Sequence, residues 1–361
     1  MTFRSLIDPI HYQRYYMSEN PKRTEISQIG EFGLIDRIKN LNPTLNPSTI
    51  VGIGDDAAVV EAGGKLVLIT SDMLLEGVHF DLSYMPLAHL GYKAVSVNVS
   101  DIAAMNGLPK YITVNVALSN RFSVEAVEAL YQGITQACQD YNVDLVGGDT
   151  TSSRSGLLLS VTAVGETERE HLTLRSTAKA GDILCVTGDL GGAYLGLQVL
   201  EREKAVYQEN PEMQPDLDKY KEIVGRQLKP VARMDVIFEL RDLGVVPTSM
   251  IDISDGLASE VLHLCKSSGL GAAVFEDKLP ATQAVFQAAD EFKITAATAA
   301  LNGGEDYELL FTIGQDDYEK IKHHQDITTI GYMQDKANGK VLQTRGGQTI
   351  PLQAQGWQHF D

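Results

Sequence analysis

Where apolar, strand-like runs give out, this sequence repeatedly sets an acidic residue beside glycine, serine or threonine. The pattern occurs at Gly54-Asp55-Asp56, Thr70-Ser71-Asp72, Ser100-Asp101, Gly148-Asp149-Thr150-Thr151, Asp252-Ile253-Ser254-Asp255-Gly256 and Gly304-Glu305-Asp306. Any one of these segments is ordinary turn or helix-cap chemistry. A set of six constrains the fold far more, because loops at one edge of a layered α/β sheet converge on a ligand. Adjacent carboxylates such as Asp55 and Asp56 raise each other's proton affinity unless a cation intervenes. Hard oxygen donors of this kind suit Mg²⁺, which bridges protein carboxylates to substrate phosphates. Metal and phosphate binding is therefore the expectation.

The rest of the chain fits such a scaffold. Glu31 to Leu41 has the spacing of a short amphipathic helix, with Phe32, Leu34, Ile35 and Ile38 apolar. Leu66 to Thr70 reads as a strand, and Pro86 to Asn106 as a helix stopped by Gly107 and Pro109. Tyr92, Lys93 and Met105 are expected to pack that helix. Lys110 to Leu118 alternates as a half-buried strand. Ser123 is placed to cap a helix running to about Tyr141. Val143 to Val146 and Leu157 to Val164 read as strands, the first leading into a loop at Gly147–Thr151. A second half restarts with a strand at Ile183 to Thr187, a structural glycine turn at Gly188 to Gly192, and a helix to about Leu200. Residues 203–218 look like a surface insertion. Strands at Ser249 to Ile253 and Tyr307 to Thr312 close the pattern. Alternating strands and helices in both halves imply an α/β, or α+β layered, protein. The expected division is an arm at 1–28, an N-terminal domain at 29–166 and a C-terminal α/β domain at 167–361.

Composition removes several functions. The chain has 30 basic and 48 acidic residues among 361, a formal net charge of −18. A nucleic acid or an anionic membrane would need a basic face instead. Three scattered cysteines offer no disulfide framework, and no segment reads as a signal peptide or membrane span. A cytoplasmic protein is expected. Walker A, HExxH and Gly-x-Ser-x-Gly motifs are all missing.

In order and in content, the motifs resemble those of the thiamine-monophosphate kinase family. That family belongs to a superfamily with aminoimidazole ribonucleotide synthetase and selenophosphate synthetase. The resemblance rests on Gly30-Glu31-Phe32-Gly33-Leu34-Ile35, Gly52-Ile53-Gly54-Asp55-Asp56, Ser71-Asp72 with His79-Phe80, and the run from Tyr92 to Met105. It continues through Gly147-Gly148-Asp149-Thr150-Thr151, Leu174-Arg175-Ser176, Asp252-Ile253-Ser254-Asp255-Gly256-Leu257 and Gly303-Gly304-Glu305-Asp306-Tyr307-Glu308-Leu309. It implies ATP-dependent phosphorylation of thiamine monophosphate with several Mg²⁺ ions. It also implies a homodimer whose N-terminal sheets pair into a barrel. Carried over by motif, Asp56, Thr70, Ser71, Asp72, Asp101, Asp149, Asp252 and Asp255 would hold metal. Gly148, Asp149, Arg175 and Ser254 would hold ATP, and His79 and Glu305 the thiamine monophosphate. Asp72, Asp101, Asp255 and Arg175 would carry catalysis. Ala354 stands where the family often has an aromatic, and Trp357 is the nearby aromatic assigned to the substrate ring. Two alternatives stand beside this reading. One is a sister ATP-dependent synthetase, although the Cys-Gly-Lys segment of the selenium enzyme is missing. The other is a non-catalytic metal- or nucleotide-binding scaffold.

Overall fold

The computed structural model describes residues 24–355, which divide into a unit at 24–43 and a unit at 44–355. Trp357 and most of the expected arm lie outside the described residues. The first unit carries helix α1 (Gly30–Leu41), none of whose residues is buried.

The second unit contains two sheets. Strands β1 (Thr49–Val51), β2 (Ala58–Ala62) and β3 (Lys65–Leu75) precede helix α2 (Leu87–Ala104). Strand β4 (Leu108–Leu118), helix α3 (Val124–Tyr141), β5 (Asp144–Ser152) and β6 (Leu158–Thr167) follow. The sheet order is β1-β2-β3-β6-β4-β5, with β3 antiparallel to β6 and β4 parallel to β5. Alternation along β3 and β6 sends Leu66, Leu68, Leu159 and Val161 into the core. Ile69, Met73, Tyr111 and Val146 stay exposed.

The second sheet is built from β7 (Ile183–Thr187), β8 (Ser249–Asp252), β9 (Gly271–Phe275), β10 (Leu309–Ile313), β11 (Ile327–Gln334), β12 (Lys340–Gln343) and β13 (Thr349–Pro351). Its order is β13-β12-β9-β11-β7-β10-β8. Between these strands run helices α4 (Gly192–Glu209), α5 (Lys221–Leu228), α6 (Met234–Asp242), α7 (Leu257–Ser268), α8 (Gln283–Glu291) and α9 (Ala296–Asn302). The α/β expectation holds. No helix among the described residues is long and apolar enough to cross a membrane.

Helix α2 positions the site. It packs on β3, β4, β6 and α3 and also on β8, α5 and α6, so it is buried nearly all round. Its crossing with α3 depends on small residues: a Cβ on Gly91 would lie 2.1 Å from the Leu130 carbonyl oxygen, and one on Gly133 1.8 Å from that of Ala88. Any side chain there would push the helices apart. The expected Ser123 cap is present, and a second cap closes the other end of α3. Ser123 accepts from the Ala126 amide at 3.3 Å, and Asn142 closes α3 in left-handed geometry.

Four local expectations need correction. Gly147–Thr151 is not a loop but the middle of β5, paired along β4. Thr70-Ser71-Asp72 lies inside β3, and Ser100-Asp101 lies on α2, so neither is a strand end. Residues 203–209 continue α4 instead of opening an insertion. Tyr307 and Glu308 precede β10, which begins at Leu309.

Candidate active site

Four elements bring acids together. The loop after β1 supplies Asp55 and Asp56, β3 supplies Thr70 and Asp72, α2 supplies Asp101, and the end of β8 supplies Asp252. Carboxylate oxygens of Asp56, Asp101 and Asp252 lie within 4.8 Å of one another. Hydroxyls brace two of them. Thr70 donates to Asp101 Oδ2 at 2.5 Å, and Ser100 donates to Asp252 Oδ2 at 2.6 Å. Asn98 accepts from the Asp72 amide at 3.1 Å and fixes the strand against the helix.

The electrostatics follow from burial and crowding. Burial raises the Asp72 carboxyl to about 6, with Asp56 adding to it. Burial and then Asp56 take Asp252 to about 7. Asp101 is driven well up by burial and by Asp72 and Asp252. Asp55 reaches about 7 through burial and Asp56, with Arg175 pulling the other way. Each shift favours the protonated acid, and a cation among these carboxylates would oppose it.

Among the described residues, Arg175 is the guanidinium that answers these carboxylates. Its Nε donates to Asp56 Oδ2 at 2.8 Å and its Nη2 to Asp56 Oδ1 at 2.5 Å. Its backbone amide donates to the Asp55 carboxylate at 3.3 Å. Asp55 also accepts from the Asp56 amide at 3.1 Å, so it orients the loop.

Ser254 and Asp255 follow β8 and meet the Gly304–Glu305 turn. The Glu305 amide donates to the Ser254 carbonyl at 2.7 Å and the Tyr307 amide to that of Ile253 at 2.9 Å. The turn requires glycine at Gly304, which has φ +73° and whose Cβ would lie 2.6 Å from the Ser254 oxygen. The Asp255 amide donates to Glu260 Oε1 at 2.8 Å, a buried carboxylate that the sequence reading passed over. Glu260 sits on the first turn of α7, where an acid is favoured.

Not every expected residue joins the cluster. Ser71 pairs across the sheet with Thr162, and Asp149 pairs with Asn115. Both belong to the face opposite Thr70 and Asp72, because neighbours along a strand alternate faces. The Ser71 hydroxyl donates to the Val161 carbonyl at 3.1 Å. Gly148 and Asp149 instead line a shallow open pocket with Val114 and Tyr131 along β5. His79 sits in the loop after β3, and its Nδ1 accepts from the Leu75 amide at 3.0 Å. Lys93, expected only to pack, is buried and paired with Glu305 at 2.9 Å.

A family model described as AIR synthase related protein, N-terminal domain, matches residues 54–167, and the corresponding C-terminal domain matches residues 179–341. The thiamine-monophosphate kinase of Bacillus subtilis is 35% identical, across 90% of this chain and 98% of that protein. That of Aquifex aeolicus is 37% identical, across 93% and 99%. A solved structure described as AaThiL complexed with AMPPCP and TMP matches with a TM-score of 0.80 at 35% identity, covering 94% of this chain and 99% of that one. The hydrogenase maturation protein HypE in complex with ATP matches at 0.65 and 15% identity, covering 97% and 96%, a likeness of fold alone. The chain belongs to the thiamine-monophosphate kinase family.

Proposed function

We propose that this protein transfers the terminal phosphoryl group of ATP to thiamine monophosphate, giving thiamine diphosphate. The observation that carries the reading is the buried group Asp56, Asp101 and Asp252, joined by Asp72. The relatives supply the substrates: they are named as thiamine-monophosphate kinases, and one solved relative holds AMPPCP and TMP.

The acidic group fits Mg²⁺. It offers several hard oxygens from separate elements, held by the Thr70 and Ser100 hydroxyls and raised in proton affinity by burial and then by their own proximity. Asp56, Thr70, Asp72, Asp101, Asp252 and Asp255 are the residues we assign to metal. Bound Mg²⁺ would neutralise phosphate charge and align the two phosphates. Arg175 adds fixed positive charge at Asp56, and Ser254, in the loop after β8, is assigned with it to ATP. The substrate phosphate is ionised near neutral pH, so no protein base is required, and we propose direct in-line transfer with no phosphoenzyme. Trapping of radiolabelled phosphate on the protein after ATP alone would overturn that step.

Gly148 and Asp149 are assigned to ATP from the edge strand, and His79 and Glu305 to thiamine monophosphate. We place the N-terminal domain, which supplies Asp56, Thr70, Asp72 and Asp101, in residues 29–166 and the α/β domain, which adds Arg175, Asp252, Ser254 and Asp255, in 167–361, a division supported by the two family matches. The exposed face of the first sheet, with Ile69, Met73 and Tyr111, supports a homodimer paired through that face. With its net charge of −18, the protein is read as cytoplasmic, with no nucleic-acid or membrane partner.

The test is to incubate the protein with ATP, Mg²⁺ and thiamine monophosphate and to resolve products by chromatography. ADP and thiamine diphosphate should appear together, and EDTA should abolish both. ATP binding without thiamine diphosphate would replace the reading with a sister synthetase.

A further inference from the structure

Helix α2 carries a lysine where no water reaches. Lys93 is 0% exposed, and its Nζ donates to Glu305 Oε1 at 2.9 Å and to the Gln227 carbonyl at 3.4 Å. Gln227, 3% exposed and on α5, donates through Nε2 to Glu305 Oε2 at 2.6 Å. Both oxygens of one carboxylate are thus gripped from two helices. Glu305 has a left-handed backbone, φ +58°, which a non-glycine residue adopts at a cost. Its side chain keeps 27% of its surface open, whereas Lys93 keeps 1%. Gln227 Oε1 is buried and has no hydrogen-bond partner among the described residues.

Packing does not explain the arrangement. A buried ammonium is costly, and an apolar side chain of similar size would fill the same space at least as well. A strained, doubly held carboxylate beside an orphaned acceptor has instead the character of a site waiting for a donor. Each carboxylate oxygen gripped on one side still has a lone pair to offer on the other. The match is a ligand group rich in N–H.

We propose that Lys93 and Gln227 are positioning residues that hold Glu305 as the acceptor for the exocyclic amine of an aminopyrimidine, so that the triad selects that end of the substrate. This rests on the kinase reading, since thiamine monophosphate carries such an amine at the end remote from its phosphate. The chemistry at the phosphates belongs to the aspartate cluster and does not need the triad.

The test compares thiamine monophosphate with its analogue bearing a hydroxyl in place of the amine, in wild type, Lys93→Met, Gln227→Met and Glu305→Gln. Wild type should favour the amine, and each variant should lose about 10- to 100-fold in kcat/KM for it, the range of one hydrogen bond to a charged group. KM for ATP should stay within about twofold, and amine selectivity should collapse towards unity. Thermal unfolding of each variant checks the fold, and if Lys93→Met does not fold, the other two carry the test. Selectivity retained in the folded variants, or an equal loss for both substrates, would overturn the proposal. Wild type that makes no thiamine diphosphate would overturn the kinase reading instead, so the two failures are distinct.

Discussion

Two buried acidic groups in this protein behave in opposite ways. Around Glu308 every oxygen has a protein partner: Arg226 Nη2 at 3.0 Å, Arg233 Nη1 at 2.7 Å and the Thr187 hydroxyl at 2.5 Å. Asp306 beside it accepts from the Gly191 and Ala193 amides at 2.7 and 3.2 Å and so caps α4. Around Asp101 and Asp252 the partners are hydroxyls, with Arg175 the only guanidinium at the cluster among the described residues, bound to Asp56. The first group is complete without a ligand and holds the scaffold. The second is left short of positive charge, and on the proposed reading bound metal would complete it. Burial of acids is common to both, so satisfaction by the protein is what separates structure from function.

If that distinction is right, substitutions in the two groups should fail in different assays. Asp72→Asn should lower kcat by about 10³-fold, on the scale of removing a group that acts on developing charge, while leaving the melting temperature unchanged or higher. The gain in stability comes from relieved repulsion among neighbouring carboxylates. Glu308→Gln should do the reverse. Leaving Arg226 and Arg233 short of their shared anion should cost about 3 kcal/mol, read by denaturant unfolding, with kcat nearly intact. A large loss of stability in the first variant, or of kcat alone in the second, would break the comparison.

The pH dependence sharpens it. Asp72 and Asp252 move from 3.8 to about 6 and about 7, so the metal-free folded chain holds protons that the unfolded chain releases. Stability from these groups therefore falls as pH rises from about 4 to about 7 and is level above that window. Saturating Mg²⁺ should flatten the fall, because it binds the ionised, folded form. Melting curves in EDTA and in Mg²⁺ across that range, for wild type and for Asp252→Asn, would show it. An identical slope in the variant would remove Asp252 from the account.

How much of this was legible depended on how local the signal was. Helix α2 was readable because apolar spacing and the Gly107–Pro109 stop are carried in consecutive residues. The Ser123 cap was readable for the same reason. Strand β5 was missed because Gly147, Gly148 and Asp149 are turn residues, and an edge strand exposed on both sides gives no alternation. The acids were picked out as a set, and Asp101 falls within the helix expected at Pro86 to Asn106, yet only the fold shows that α2 carries it to β8. Lys93 was beyond reach of local reasoning, since its partner Glu305 lies 212 residues away.

Ser71 offers the smallest and cleanest test of which acids and hydroxyls belong to the site. The motif reading assigns its hydroxyl to metal, whereas its place on β3 turns it towards β6, where it meets the Val161 carbonyl and Thr162 Oγ1, each at 3.1 Å. An exposed hydroxyl of that kind contributes about 0.5 to 1 kcal/mol to stability and nothing to charge neutralisation. Ser71→Ala should therefore change kcat and the Mg²⁺ requirement by less than about twofold, whereas Thr70→Ala, one residue earlier and facing Asp101, should raise the Mg²⁺ requirement several-fold by freeing that carboxylate. Both substitutions remove a hydroxyl from adjacent positions of one strand; Thr70→Ala also removes a buried methyl, for which Thr70→Val, keeping the bulk, is the control. Equal effects would mean that the two faces of β3 share the metal site. Unequal effects in the stated sense would confine it to the face covered by α2.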